Sequence, residues 1–147
     1  MAKGSRYNLP YRRRRNGRTD YARRKGLVLS GQPRLVVRPA NKHITVQVVE
    51  ALPTGDRVLA SAHSSELREY SWKGPGGNVP AAYLTGSLAG YRVRSKGVET
   101  AVLDLGTRPV STGSRVFAAL NGALDAGVKI PHSAHILPSK ERLRGEH

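Results

Sequence analysis

The sequence predicts an α/β fold, a mixed β-sheet with helices packed on it, behind a basic N-terminal extension. Three observations carry this. Between residues 35 and 62, short apolar runs alternate with turn clusters, the pattern of hairpin-connected strands. From residue 78 the apolar repeat lengthens to steps of three and four, and strand then alternates with helix. The first 42 residues hold thirteen Lys and Arg against one acid, Asp20, and almost nothing apolar before residue 19.

The elements follow in order. Residues 1–18 contain Gly4, Pro10 and Gly17 and too few apolar groups to build a core. Thr19-Asp20 reads as a helix start, a capping hydroxyl followed by an acid, for a short helix over about 20–29 that Gly26 weakens. Ser30-Gly31-Gln32-Pro33 ends it. Leu35-Val36-Val37 is a β-branched run suited to a strand buried on both faces. Ile44-Thr45-Val46-Gln47-Val48 alternates with period two and should pair antiparallel with it across the Pro39–Lys42 turn. Pro53-Thr54-Gly55-Asp56 leads into a third strand from Arg57 to about Ala62, which completes a meander.

Lys73-Gly74-Pro75-Gly76-Gly77 is a loop, and Asn78 with Pro80 is a helix start. Ala81, Leu84, Leu88 and Tyr91 form the expected buried stripe of a helix running to about Lys96, stopped by Gly97. Gly86 and Gly90 line a stripe read as close packing of helix on sheet. Thr100–Leu105 is a fourth strand. A second long helix begins near Ser111–Ser114, buries Val116, Phe117, Leu120 and Leu124, and stops at Gly127. Val128-Lys129-Ile130 is a short edge strand. The domains expected are a basic arm over 1–30, an α/β domain over 31–131 and an aperiodic tail over 132–147.

Several functional classes lack their residues. With no cysteine there is neither disulfide nor thiolate chemistry, which fits a reducing compartment. No apolar run approaches the roughly 18 residues of a membrane helix, and no hydrophobic core follows the basic N-terminus as in a secretory signal. An Arg-rich, acid-poor start also resembles a mitochondrial transit peptide, but a basic cytosolic protein is the reading adopted. Among carboxylates Asp56, Glu66, Asp104 and Asp125 fall near element ends. A two-metal nuclease requires several such groups converging, whereas Asp104, between Leu103 and Leu105, reads as a partner for an arginine or a backbone amide. His132 and His135 stand three apart but lack a third ligand. Gly74–Gly77 lacks the order of a phosphate-binding loop. The chain is therefore read as non-catalytic, without metal or cofactor.

The basic arm is the strongest signal. Of the formal charge of +15, +12 lies in residues 1–42; the remaining 105 residues set twelve bases against nine acids. Such a segment repels itself in water and is stabilised against a dense array of anions. Ten of its thirteen bases are arginines, whose planar forks bond phosphate bidentately and stack on bases. Tyr7, Tyr11 and Tyr21 are interleaved and offer stacking surfaces to unpaired bases. With no helix-turn-helix, zinc finger or leucine zipper in view, RNA is favoured over duplex DNA. The competing classes are a metal-dependent nuclease and a general polyanion-binding protein, including one held at an anionic membrane surface.

Seven stretches in register resemble one family. They are Thr19–Arg24, Pro33–Arg38, Asn78–Gly86, Leu88–Arg92, Val102–Gly106, Gly113–Leu120 running on through Gly127, and Ile130–Ser133. Together they span roughly residues 6–135 and resemble the 5S rRNA-binding large-subunit ribosomal protein family numbered eighteen, in its archaeal and eukaryotic form. The resemblance implies a three-layer α/β/α mixed sheet of the ribonuclease-H-like type, lacking that fold's nuclease carboxylates. It implies a structural constituent of the large ribosomal subunit in the cytoplasm, with 5S rRNA, large-subunit rRNA and neighbouring ribosomal proteins as partners. Such a protein helps attach 5S rRNA to the large-subunit rRNA at the central protuberance. The family's RNA-contacting segment maps onto Arg12, Arg13, Arg14, Arg15, Arg18, Arg23, Arg24 and Lys25, with Tyr11 beside them. Arg34 and Arg38, flanking the first strand, are further candidates.

Overall fold

The computed structural model describes residues 4–146. Two short helices open the chain: α1 is a single turn, Arg12–Arg15, with no buried residue, and α2 spans Tyr21–Leu29. The expected helix start holds, with Asp20 rather than Thr19 as the cap, because its carboxylate accepts from the Arg23 N–H at 3.2 Å. Thr19 instead accepts from Arg13 Nε at 2.8 Å.

The meander follows as β1 (Arg34–Pro39), β2 (Ile44–Leu52) and β3 (Gly55–His63), with antiparallel pairing throughout. A 3-10 helix, Ser64–Tyr70, comes next, capped by the His63 side chain and by Glu66, which accepts from the His63 N–H. Asn78 caps α3 (Val79–Arg94) by accepting from the Ala81 N–H at 2.9 Å. Strand β4 (Val102–Asp104) adds parallel to β1, which gives the sheet order β3-β2-β1-β4. Helix α4 covers Arg115–Asp125, and Gly127 ends it at φ +101°, where an L side chain is strained. The edge strand expected at 128–130 is reduced to one parallel bridge between Thr100 and Lys129.

The register divides the sheet into two unlike faces. Leu35, Val37, Ile44, Val46, Val48, Ala60 and Ala62 point to the first face and are at most 6 % exposed. Both α3 and α4 pack there, joining them in one core with Phe117 and Leu120 at its centre. Strand β1 is accordingly buried on this side, while of the alternate residues Val36 is half-buried and Arg38 exposed, against the expectation of burial on both faces. Because α3 and α4 share one layer, the described residues make two packed layers where three were expected. Among the described residues the second sheet face is met by the N-terminal arm and by the turn at Gly106, and α2 buries no residue against it.

Two expectations about α3 are corrected. Leu84 and Tyr91, placed in the buried stripe, are 36 % and 63 % exposed. The buried face is made of small residues instead: Ala81, Ala82, Thr85, Gly86, Ala89 and Gly90, with Val93. The reason is the neighbouring helix. A Cβ on Gly86 would lie 2.0 Å from the Ala119 carbonyl oxygen, and one on Gly122 of α4 would lie 2.1 Å from that of Tyr83. The glycine stripe therefore serves helix-on-helix contact, not helix-on-sheet. Residues 132–147, read as aperiodic, contain a 3-10 turn at Ala134–Ile136 and a short helix α5 at Lys140–Arg144. Ile136, Leu137 and Leu143 pack on the core from there.

Candidate nucleic-acid interface

On the second sheet face a cleft of about 290 Å³ opens between strands and arm. Its floor is Val36, Gln47, Val49 and Val58; its walls carry Arg13, Arg18, Arg23 and Arg24 from the arm and Arg38 from β1. The strand period of two produces this arrangement. Where Leu35 and Val37 face the helices, Arg34, Val36 and Arg38 must face the opposite way.

A row of alternating charges ties the arm to the sheet. The Arg24 guanidinium donates to both Asp56 carboxylate oxygens, at 3.0 and 3.3 Å. Asp56 also receives Arg34 Nη2 at 2.7 Å, and Arg34 Nη1 reaches Asp104 at 2.8 Å. Arg38 completes the row: its Nη2 lies 3.6 Å from Asp104 Oδ1 and its Nη1 donates to the Asp104 carbonyl at 3.1 Å. Asp104 accepts in addition from the Gly106 N–H at 2.8 Å. The Arg24 guanidinium, with Arg34 behind it, holds the Asp56 carboxyl below its ordinary range, and the carboxylate in turn raises Arg24.

Arg34 is 2 % exposed, and a lone guanidinium buried so deeply would be strongly unfavourable. Two carboxylates offset that cost, and only its Nε has no partner among the described residues. Arg34, expected as an RNA contact, lies beneath the surface with its charged fork on Asp56 and Asp104. Asp104 does take the role read for it, a partner of arginine and of a backbone amide.

The other candidates divide into two sets. Arg13, Arg18, Arg23, Arg24 and Arg38 converge on the cleft. Arg12, Arg14, Arg15 and Lys25 are exposed outside it, as is Tyr11, whose ring meets Tyr21 edge-on at 5.4 Å between centroids. Arg23 is held by Asp20 at 3.4 Å. In the sequence Asp56 stands out only as a carboxylate near an element end. Its partners lie 32 and 22 residues away in sequence, so no local pattern announces them. Gln47 and Val58 on the floor are marked in the sequence only as strand residues, and the period-two alternation is the one signal that places them there.

Comparison with known proteins names the same family as the resemblance. The pattern described as "Ribosomal large subunit proteins 60S L5, and 50S L18" matches residues 5–100 and 94–133. The chain is 59 % identical over its whole length to the large ribosomal subunit protein uL18 of Aeropyrum pernix, covering 69 % of that protein. It is 55 % identical to the proteins of the same name from Haloarcula marismortui and Halobacterium salinarum, covering 79 % and 80 % of them. On this evidence the chain belongs to the ribosomal large subunit L5/L18 protein family.

Proposed function

We propose that this chain is a structural constituent of the large ribosomal subunit in the cytoplasm. It binds 5S rRNA and helps attach it to the large-subunit rRNA at the central protuberance, beside neighbouring ribosomal proteins. The observation that carries the reading, given the family, is the convergence of five arginines over the second sheet face, continuous with the exposed arginines of α1. Forked guanidinium donors bond phosphate bidentately, and carried on strands and a short helix they present that bonding from a fixed surface.

In this reading Arg13, Arg18, Arg23, Arg24 and Arg38 meet backbone phosphates in the cleft. Arg12, Arg14, Arg15 and Lys25 extend the contact along the arm, and Tyr11 stacks on an unpaired base. Arg34 acts from beneath by holding two carboxylates in place. The reading is non-catalytic. Asp56 and Asp104, which a nuclease would turn toward magnesium, are engaged by guanidinium groups.

The test is the salt dependence of binding to 5S rRNA. If about six phosphates are neutralised, log affinity falls with log salt at a slope near −5. A slope shallower than about −2 removes the arm from the interface. Co-sedimentation with large subunits at moderate salt, and preference for 5S rRNA over other polyanions, separate this reading from non-specific polyanion binding.

A further inference from the structure

Two carboxylates stand inside a surface suited to an anion. At long range each works against RNA: replacing either by its amide raises the net charge by one and favours any polyanion. At short range they do something else. Asp56 grips Arg24 and Arg34, Asp104 grips Arg34 and faces Arg38, and the Gly106 N–H fixes the Asp104 side chain in turn. Arg24 and Arg38 still keep 40 % and 45 % of their side-chain surface open, whereas Arg34 keeps 3 %.

We propose that Asp56 and Asp104 are positioning residues for RNA recognition, which clamp the buried Arg34 so that Arg24 and Arg38 are held at a preset spacing. A free arginine side chain loses rotamer freedom when it settles on a phosphate, and one already held by a carboxylate loses less. Preset donors reward an RNA whose phosphates fit their spacing; they give nothing extra to an RNA that does not. The carboxylates thus trade general attraction for discrimination. Asp56 has a second consequence. Through Arg24 it fixes α2, and with it the direction in which the arm crosses the cleft. The inference rests on the 5S rRNA reading above.

The experiment compares the full chain with Asp56→Asn, Asp56→Glu and Asp104→Asn, each titrated with a 5S rRNA transcript and with poly(A) of equal length at one salt concentration. Asp56→Asn is expected to weaken 5S rRNA binding about tenfold while poly(A) binding holds or tightens. Asp56→Glu is expected to restore most of the 5S affinity. Asp104→Asn should shift discrimination the same way; where it unfolds the chain, Asp56→Asn decides alone, since Arg34 there keeps Asp104. The proposal is overturned if Asp56→Asn binds both RNAs more tightly in step, leaves both unchanged, or weakens both equally. The wild-type titration tests the underlying reading separately: without preference for 5S rRNA, that reading fails and the proposal fails with it.

Discussion

The two faces of one sheet are held by different forces. On the first, Leu35, Val37, Ile44, Val46 and Val48 are wholly buried under α3 and α4. On the second, the alternate residues of the same strands lie under Arg24, Asp56 and Asp104, in a network of charges with a fringe open to water. Apolar burial responds little to salt or acid, while ion pairs respond to both. A period of two therefore lets three short strands carry the fold on one side and a charged binding surface on the other. Stability and binding should be separable by substitution.

The largest effect should come from the helix side. Gly122→Val pushes side-chain atoms into the Tyr83 carbonyl and the Ser87 backbone, neither of which is a flexible group that can swing aside. A loss of about 3 kcal/mol or more in chemical denaturation is expected. RNA binding should fall with it, because the cleft has no scaffold without the sheet. An unfolding curve like that of the wild type would show that the two helices can separate.

Removing residues 1–18 should do the reverse. Helix α1 buries nothing, and the anchor of α2 at Arg24 and Asp56 lies beyond the cut. The thermal midpoint should stay within about 2 °C, while 5S rRNA affinity at physiological salt falls about 100-fold and the salt slope becomes shallower. Unfolding of the truncated chain would instead make the arm part of the fold.

The difference between the faces also explains what the sequence disclosed. The meander, the Asn78 cap, the helix start at residues 19–20 and the Gly127 stop are written in neighbouring residues, so they could be read directly, though Thr19 and not Asp20 was the cap expected. The buried face of α3 could not. A stripe of large apolar residues, Leu84, Leu88 and Tyr91, competes there with a stripe of Ala and Gly. Only the close approach of α4 makes the small residues the better fit. The arginines announced themselves by number, but not that Arg34 is buried. That depends on Asp56 and Asp104, and the Asp104 contact joins residues 70 apart in sequence. Contacts set by tertiary closure leave no local periodicity.

Acid should loosen the charged face before the apolar one. Asp56 titrates below its ordinary value of 3.8 because Arg24, and then Arg34, favour the carboxylate. Its stabilising contribution is thus complete above about pH 4 and disappears as pH falls through the lowered value. Glu66, lowered chiefly by Arg92, behaves alike. Asp56 is about one-third exposed, so solvent screening holds its share under about 1 kcal/mol. Unfolding followed from pH 7 to pH 2 should fall more steeply at the acid end for wild type than for Asp56→Asn. Parallel curves would mean that Asp56 does not anchor α2.

The smallest expected effect, that of Tyr91→Ser, bears on α3, whose inward face the sequence misplaces. Tyr91 and Ala89 lie two positions apart on α3, one 63 % exposed and the other fully buried. Tyr91→Ser removes a large apolar group from a surface where it is mostly solvated, so the cost should stay within about 0.5 kcal/mol. Ala89→Ser adds only one hydroxyl, yet places it in the packed core and should cost about 1–3 kcal/mol. An amphipathic helix read from residue size alone gives the opposite order. The pair of variants, measured by the same denaturant titration, tests whether close helix–helix contact or apolar bulk decides which side of α3 faces inward.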